Sequence, residues 1–132
     1  MGKLSILLVD DEVDILDMFG ARIQSWGYEV IKAENGKKAM KILEDKKPDI
    51  VVLDYMMPGE NGIVVLEKIR KKDKEIPVIM FTAHPDEKSM KGSSNLGAMA
   101  FVPKLSMYSD TQSSLKSAIH MAEEKLRRDG KE

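Results

Sequence analysis

Short apolar runs recur along the chain, separated by stretches in which apolar and polar residues alternate with helical spacing. A short continuous apolar run bounded by polar or turn-forming residues predicts a buried strand. Runs of this kind lie at residues 4–9, 50–53, 77–81 and 100–102. A further segment, residues 28–32, alternates between apolar and polar side chains and also predicts a strand.

Apolar residues spaced three and four apart predict five amphipathic helices, one after each strand. The first runs from Val13 to Trp26 and is ended by Gly27. The fourth is predicted over residues 86–97, where a glycine and several serines make it a weak helix former. The apolar stripes of the other three helices are Ala39, Ile42 and Leu43; Val65, Leu66 and Ile69; and Leu115, Ala118, Ile119, Ala122 and Leu126.

Strands and helices alternate from end to end, which indicates βαβ units on a parallel sheet. The continuous apolar strands agree, because a sheet covered on both faces by helices has no solvent-facing side. The predicted fold class is α/β, a doubly wound five-stranded parallel sheet flanked by five helices. A chain of 132 residues is typical of one domain. We assign residues 1–128 to this domain and residues 129–132 to a short charged tail that frays.

Composition and charge exclude several classes of protein. Twenty-one basic residues against 22 acidic ones give a net charge of −1, so the chain lacks the basic footprint of a nucleic-acid-binding domain. The absence of cysteine excludes disulfides, thiolate metal ligands and cysteine nucleophiles. No apolar run is long enough to span a membrane or to form a signal peptide. The chain is therefore predicted to be cytoplasmic and to bind neither nucleic acid nor membrane directly.

Chemically active side chains follow four of the five predicted strands. In an open parallel sheet, ligands bind where the carboxyl ends of the strands meet. One edge of the sheet should therefore carry three carboxylates, a hydroxyl and an ammonium. They are Asp10 and Asp11 after the first strand, Asp54 after the third, Thr82 at the end of the fourth and Lys104 after the fifth.

This set suits phosphoryl transfer to a carboxylate. Three carboxylates held close together repel one another, and a hard divalent cation such as Mg²⁺ (or Mn²⁺) relieves that repulsion. A carboxylate can also act as a nucleophile towards phosphorus. Asp54 is the natural acceptor because it stands alone on a central strand, and Lys104 and Thr82 could bind the phosphoryl oxygens.

Each residue also has a plain structural interpretation. Asp10 and Asp11 could cap the following helix, and Thr82 could cap another. Asp54 could belong to the turn that includes Pro58, and Lys104 could be a solvated loop residue. The occurrence of all four features at consecutive strand ends favours the functional interpretation.

Four segments of this chain resemble the receiver domain of two-component response regulators. They are LVDDE at residues 8–12, LDYMMPGENG at 53–62, FTA at 81–83 and the lysine at 104. The resemblance extends from Leu4 to about Arg127. It implies a flavodoxin-like fold with strand order 2-1-3-4-5. It also implies that Asp54 takes a phosphoryl group from a sensor histidine kinase or a histidine phosphotransfer protein.

The resemblance further assigns roles to individual residues. Asp11, Asp54 and the backbone carbonyl of Met56 would bind Mg²⁺ directly, and Asp10 would bind it through water. Thr82 would contact the phosphoryl group, and Phe101 would respond to its movement as the second part of a switch that alters a surface for protein–protein output. Such a domain catalyses only its own phosphoryl transfer and autodephosphorylation, so it is not an enzyme in the usual sense.

The chain departs from the receiver pattern beside Lys104, which is followed by Leu105 instead of proline and is preceded by Pro103. We expect phosphorylation to survive this departure, while the output mode can differ. A degenerate receiver that acts only as an interaction module is the first rival. An aspartyl-phosphate hydrolase of the haloacid dehalogenase type would need an acid at the position of Met56. A flavin- or nucleotide-binding domain would need a phosphate-binding loop where Asp10 and Asp11 stand.

Overall fold

A computed structural model describes residues 3–57, 60–82, 87–104 and 109–130. Within these residues, seven strands and five helices follow one another. In order they are β1 (Ser5–Val9), α1 (Val13–Ser25), β2 (Glu29–Ala33), α2 (Gly36–Lys46), β3 (Ile50–Leu53), β4 (Met56–Met57), β5 (Glu60–Asn61), α3 (Gly62–Lys72), β6 (Val78–Thr82), α4 (Glu87–Asn95), β7 (Ala100–Pro103) and α5 (Ser109–Arg128).

Five of the strands form one parallel sheet in the order β2-β1-β3-β6-β7. Counted within this sheet alone, the order is 2-1-3-4-5. The α/β fold class and the strand order expected from the sequence are therefore confirmed. Every residue of β3 and β6 is buried, which explains why residues 50–53 and 78–81 are continuously apolar in the sequence.

The helices cover both faces of the sheet and create two apolar layers. On one face, α1 and α5 pack against the sheet, and the rings of Phe19 and Phe81 meet edge to face with their centroids 4.9 Å apart. On the other face, α2 and α3 contribute Ala39, Val65 and Leu66. Each fully buried aliphatic or aromatic side chain contributes about 1.5–3 kcal/mol. The sheet edge that carries the candidate site is thus held rigidly from two sides.

The ends of the predicted strands and helices differ from those in the structure by one or two residues. One further feature of the structure was not indicated by the sequence. The strand predicted at residues 28–32 lies at Glu29–Ala33, and α4 lies within the predicted range of 86–97. The unexpected feature is the small antiparallel pair β4–β5 after β3. Two-residue strands are too short to show any periodicity, which is why the pattern of residues missed them.

Three earlier expectations fall on residues outside the described ranges. They concern the turn at Pro58, the residue after Lys104 and the far end of the charged tail. Within the described ranges, α5 ends at Arg128 and the chain then turns. None of the described helices has the length and apolar character needed to cross a membrane.

Arg70 ties the carboxyl end of α3 to two loops. Its Nε donates to the backbone oxygen of Leu96 at 2.8 Å, and one terminal nitrogen donates to that of Gly97 at 3.0 Å. The other terminal nitrogen donates to the backbone oxygens of Ile76 at 2.8 Å and Asp73 at 3.2 Å. Burial lowers the pKa of the Arg70 guanidinium from its ordinary value. One side chain therefore satisfies carbonyls that precede both β6 and β7.

Candidate functional site

The carboxyl ends of β1, β3, β6 and β7 bring the sequence-predicted side chains to one edge of the sheet. The backbone nitrogen of Asp54 donates to the Val9 oxygen at 3.0 Å, which fixes the end of β3 beside the end of β1. Asp10, Asp54 and Thr82 are 1%, 3% and 0% exposed, respectively. Buried carboxylates need a compensating charge or a metal, so their surroundings decide what this edge can do.

Lys104 supplies a compensating charge for both buried carboxylates. Its Nζ lies 2.7 Å from Asp10 Oδ2 and 3.7 Å from Asp54 Oδ2, and its side chain is 8% exposed. The ammonium also lies 5.5 Å from the centroid of the Phe81 ring. The interpretation of Lys104 as a solvated loop residue is therefore wrong. One positive charge facing two negative ones leaves the site with a net negative charge that a cation can neutralise.

Pro103 changes which backbone N–H donates the last hydrogen bond between β7 and β6. Met99 donates its backbone N–H to the Val78 oxygen, and alternation along the strand would bring the N–H of residue 103 to the Thr82 oxygen. Proline has no N–H. The N–H of Lys104 donates to the Thr82 oxygen instead, at 2.6 Å. This bond holds the backbone of Lys104 directly beside the end of β6.

A second acidic group lies where β1 leads into α1. Asp10, Asp11 and Glu12 each place a carboxylate oxygen within 4.8 Å of the others. Asp10 Oδ1 accepts a hydrogen bond from the Glu12 backbone nitrogen at 3.0 Å, whereas α1 has Glu12 at its N-cap and no side-chain cap bond. The proposal that the aspartate pair caps α1 is thus not supported. Three clustered carboxylates are the hard oxygen ligands that Mg²⁺ takes in proteins.

The predicted metal ligands occupy different positions in the site. Asp10 links the two parts of the site, because it belongs to the acidic group and also pairs with Lys104. Asp11 lies in the acidic group, and Asp54 joins the site through Lys104. The backbone of Met56 lies in β4, two residues after Asp54. Sequence reasoning gave no role to Glu12, whose position directly after the two aspartates was the available signal.

Thr82 and Phe101 lie on the same side of the sheet. Phe101 is half-buried and stands opposite Met80 in the β6–β7 register, and both pack in the apolar layer that includes α3. Side chains two residues apart on a strand point to the same face. Thr82 therefore faces the layer that contains Phe101, as a coupled pair would require.

Gly62 is a site residue that sequence reasoning missed. The β4–β5 hairpin folds the start of α3 back onto the end of β3, and the Gly62 nitrogen donates to the Tyr55 oxygen at 2.7 Å. A Cβ at position 62 would lie 2.5 Å from the Asp54 backbone oxygen and 2.6 Å from Tyr55 Cα. Gly62 ends the segment LDYMMPGENG at residues 53–62, but the Asn61–Gly62 pair before an apolar stripe indicates a helix start and not a close approach.

Comparisons with known proteins match this chain to one family. The family model described as the response regulator receiver domain matches residues 6–117. A phosphate regulon transcriptional regulatory protein, PhoB of Pseudomonas aeruginosa, is 36% identical over 106 residues, which cover 79% of this chain and 46% of the relative. The alkaline phosphatase synthesis transcriptional regulatory protein PhoP of Bacillus subtilis is 37% identical over 75% of this chain and 41% of its own length. The chain thus spans less than half of either relative.

Solved structures with the same fold cover nearly the whole chain. A CheY-like response regulator receiver domain protein from Methanospirillum hungatei has a TM-score of 0.85 and 25% identity, and the match covers 96% of this chain and 99% of that one. The response regulator protein TrrA from Thermotoga maritima, solved in complex with Mg²⁺-BeF, has a TM-score of 0.79 and 34% identity. That match covers 90% of this chain and 98% of TrrA.

Proposed function

The chain belongs to the response regulator receiver domain family, and on that premise we propose that Asp54 accepts a phosphoryl group from a phosphohistidine. The donor would be a sensor histidine kinase or a histidine phosphotransfer protein. The observation that carries this proposal is the position of Asp54, buried at a strand end with the Lys104 ammonium 3.7 Å from its carboxylate. A carboxylate placed in this way can attack phosphorus while a fixed positive charge stands beside it.

The proposed transfer makes one bond and breaks one bond. A carboxylate oxygen of Asp54 forms a bond to phosphorus, and the bond between phosphorus and the donor histidine nitrogen breaks. The electron pair of the broken bond stays on the leaving imidazole. Phosphoryl transfer depends mainly on in-line positioning and on stabilising the charge of the equatorial oxygens. Lys104 would stabilise one of these oxygens as a point charge, and the Thr82 hydroxyl would donate to another.

The acidic residues would hold the divalent cation that such a transfer needs. Asp11, Asp54 and the backbone carbonyl of Met56 would bind Mg²⁺ (or Mn²⁺) directly, with Asp10 contributing through water. The clustering of carboxylates around Asp10 supports this assignment, because it is the kind of donor set that suits a hard cation. When bound, the cation neutralises charge on a phosphoryl oxygen. The TrrA structure in complex with Mg²⁺-BeF agrees with this use of the fold.

The switch proposed for Thr82 and Phe101 would turn a local charge into a change of surface. An acyl phosphate on Asp54 adds negative charge and hydrogen-bond acceptors. The Thr82 hydroxyl would move towards these acceptors, and Phe101 would fill the space left behind on the same face of the sheet. Phenylalanine has no hydroxyl, so the inward position would gain packing but no hydrogen bond. The result is a two-state element biased by one group, with protein–protein contact as its output.

The rival functions explain fewer of these contacts. An interaction module without phosphorylation has no need of Lys104 buried between two carboxylates. A phosphatase of the haloacid dehalogenase type lacks its second acid, because Met56 stands there. We therefore infer a cytoplasmic signalling domain whose chemistry is confined to its own phosphorylation and dephosphorylation. DNA binding is not proposed for this stretch, although two relatives are named as transcriptional regulators.

Intact mass spectrometry tests the assignment directly. The chain is incubated with Mg²⁺ and a small acyl phosphate donor, and a gain of one phosphoryl group is expected. Asp54→Asn should abolish the gain, whereas Asp17→Asn, a matched change at an exposed aspartate paired with Lys32, should not. A phosphoryl group on Asp54→Asn would overturn the site assignment. An unmodified wild-type chain would favour the module without phosphorylation.

A further inference from the structure

The first turn of α3 lies against the backbone that carries the phosphoacceptor. The Gly62 nitrogen donates to the Tyr55 oxygen at 2.7 Å. A Cβ built on Gly62 would lie 2.5 Å from the Asp54 oxygen, 2.6 Å from Tyr55 Cα and 3.1 Å from the Tyr55 oxygen. All three neighbours are backbone atoms, so no side-chain rotation could relieve the overlap. The absence of a side chain at position 62 is therefore a condition of this contact.

We propose that Gly62 is a positioning residue for the cation site and for phosphoryl transfer. By letting α3 close onto Tyr55, it fixes the peptide units that join Asp54 to the Met56 carbonyl, two of the groups assigned to the cation. This inference rests on the proposed function. A side chain at position 62 would displace that segment and weaken Mg²⁺ binding, while the rest of the domain stays folded.

The structure indicates which side of the contact would yield. Upstream, β3 is paired on both sides, with β1 and with β6, and the Asp54 nitrogen donates to Val9. Downstream, α3 is anchored by buried apolar residues and by Asn61, whose Oδ1 accepts the Ile63 backbone N–H at 2.7 Å. Between these two anchors lies the β4–β5 hairpin, a pair of two-residue strands. The short hairpin is the part that would shift, and it contains Met56.

Two other glycines that the structure describes, Gly20 and Gly92, do not approach backbone in this way. A Cβ on Gly92 would meet only the side chain of Ile63, at 3.5 Å or more, which is ordinary van der Waals contact. A Cβ on Gly20 would meet the flexible end of the Lys32 side chain. Gly92→Ala is therefore a matched control, with the same added methyl group close to α3 but away from the Asp54 backbone.

The experiment compares the wild type, Gly62→Ala and Gly92→Ala. Mg²⁺ affinity is measured by calorimetry, folding by thermal unfolding, and phosphorylation by intact mass at several Mg²⁺ concentrations. Gly62→Ala is expected to weaken Mg²⁺ binding by about 10–100-fold, the range typical for loss of a group that orients metal ligands. Its phosphorylation should recover at high Mg²⁺ concentration, which a general loss of structure would not produce. Gly92→Ala should behave like the wild type.

Each result has a definite meaning. Wild-type Mg²⁺ affinity in Gly62→Ala would overturn the inference and leave the proposed function intact. A wild-type chain that binds no Mg²⁺ and takes no phosphoryl group would overturn both. Should Gly62→Ala fail to fold, Asn61→Ala tests the same contact by removing the bond that anchors the first turn of α3. It should weaken Mg²⁺ binding several-fold, and an unchanged affinity would count against the role of Gly62.

Discussion

Lys104 pairs more closely with Asp10 than with Asp54, since its Nζ lies 2.7 Å from the first carboxylate and 3.7 Å from the second. Asp10 also belongs to the acidic group proposed to bind a cation. The Lys104 ammonium and the proposed cation would therefore both interact with the Asp10 carboxylate. On the proposed function, Mg²⁺ would compete with Lys104 for Asp10, even though phosphoryl transfer is proposed to need both.

Lys104→Met should separate these two effects. Removing the ammonium leaves the carboxylates with more uncompensated negative charge, so Mg²⁺ affinity should rise by roughly tenfold. The rate of phosphorylation should fall by roughly 10²–10³-fold, because a charge that stabilises the transferring group is lost. Calorimetry with Mg²⁺ and timed intact-mass measurements check both values. Lys38→Met, at an exposed lysine paired with Glu34, is the control, and unchanged Mg²⁺ affinity in Lys104→Met would contradict the competition.

Phe101→Ala should uncouple phosphorylation from its structural response. The variant keeps the side chains at the strand ends, so it should accept a phosphoryl group at nearly the wild-type rate. Without the ring, the space beside Thr82 cannot be filled, and amide chemical shifts of α4 and β7 should change less on phosphorylation. Met121→Ala, at an exposed residue of α5, is the control. A full wild-type response in Phe101→Ala would remove Phe101 from the switch.

Arg70→Met should lower the free energy of unfolding by roughly 2–4 kcal/mol. Hydrogen bonds to a charged donor contribute about 1.5–3 kcal/mol each, and the two partly buried carbonyls, those of Leu96 and Ile76, lose their donor together. Urea denaturation checks this value against Arg22→Met, a change at an exposed arginine of α1. Arg70→Lys should recover only part of the loss, because an ammonium cannot reach both loops. A loss below about 0.5 kcal/mol, the range of ordinary surface substitutions, would show that the bonds contribute little.

Tyr28 should make the stability depend on pH in alkaline solution. Its hydroxyl donates to Glu123 Oε1 at 2.9 Å, and burial together with that contact raises the pKa of Tyr28 from 10.0 to about 12. The folded chain therefore holds the proton more tightly than the unfolded chain does. The stabilisation is fully present below about pH 10 and is lost as the pH rises towards about 12.

Two measurements test this expectation. The difference in unfolding free energy between the wild type and Tyr28→Phe, about 1 kcal/mol at neutral pH, should shrink above pH 10. The absorbance of the phenolate should show one tyrosine with a midpoint near pH 12, and Glu123→Gln should lower that midpoint. Titration of all three tyrosines together near pH 10 would contradict the assignment.

Sequence reasoning predicted the parts of the molecule that depend on periodicity and on the rule for strand ends. The apolar runs predicted β3 and β6, and the strand-end rule predicted that Asp10, Asp54, Thr82 and Lys104 lie at one edge of the sheet, which is where these residues are found. The hairpin, the contact of Gly62 with Asp54 and the bonds of Arg70 were not predictable in this way. They depend on distances between segments that only the folded chain brings together.

Pro103 determines where the backbone of Lys104 lies relative to β6. Since it cannot donate to Thr82, the following amide takes that partner, and the root of the ammonium-bearing side chain is pinned to the neighbouring strand. In this chain proline stands directly before the lysine, and leucine stands directly after it. The backbone of Lys104 is consequently fixed before the chain reaches residue 105. A leucine at position 105 is therefore compatible with an ammonium that lies beside Asp10 and Asp54.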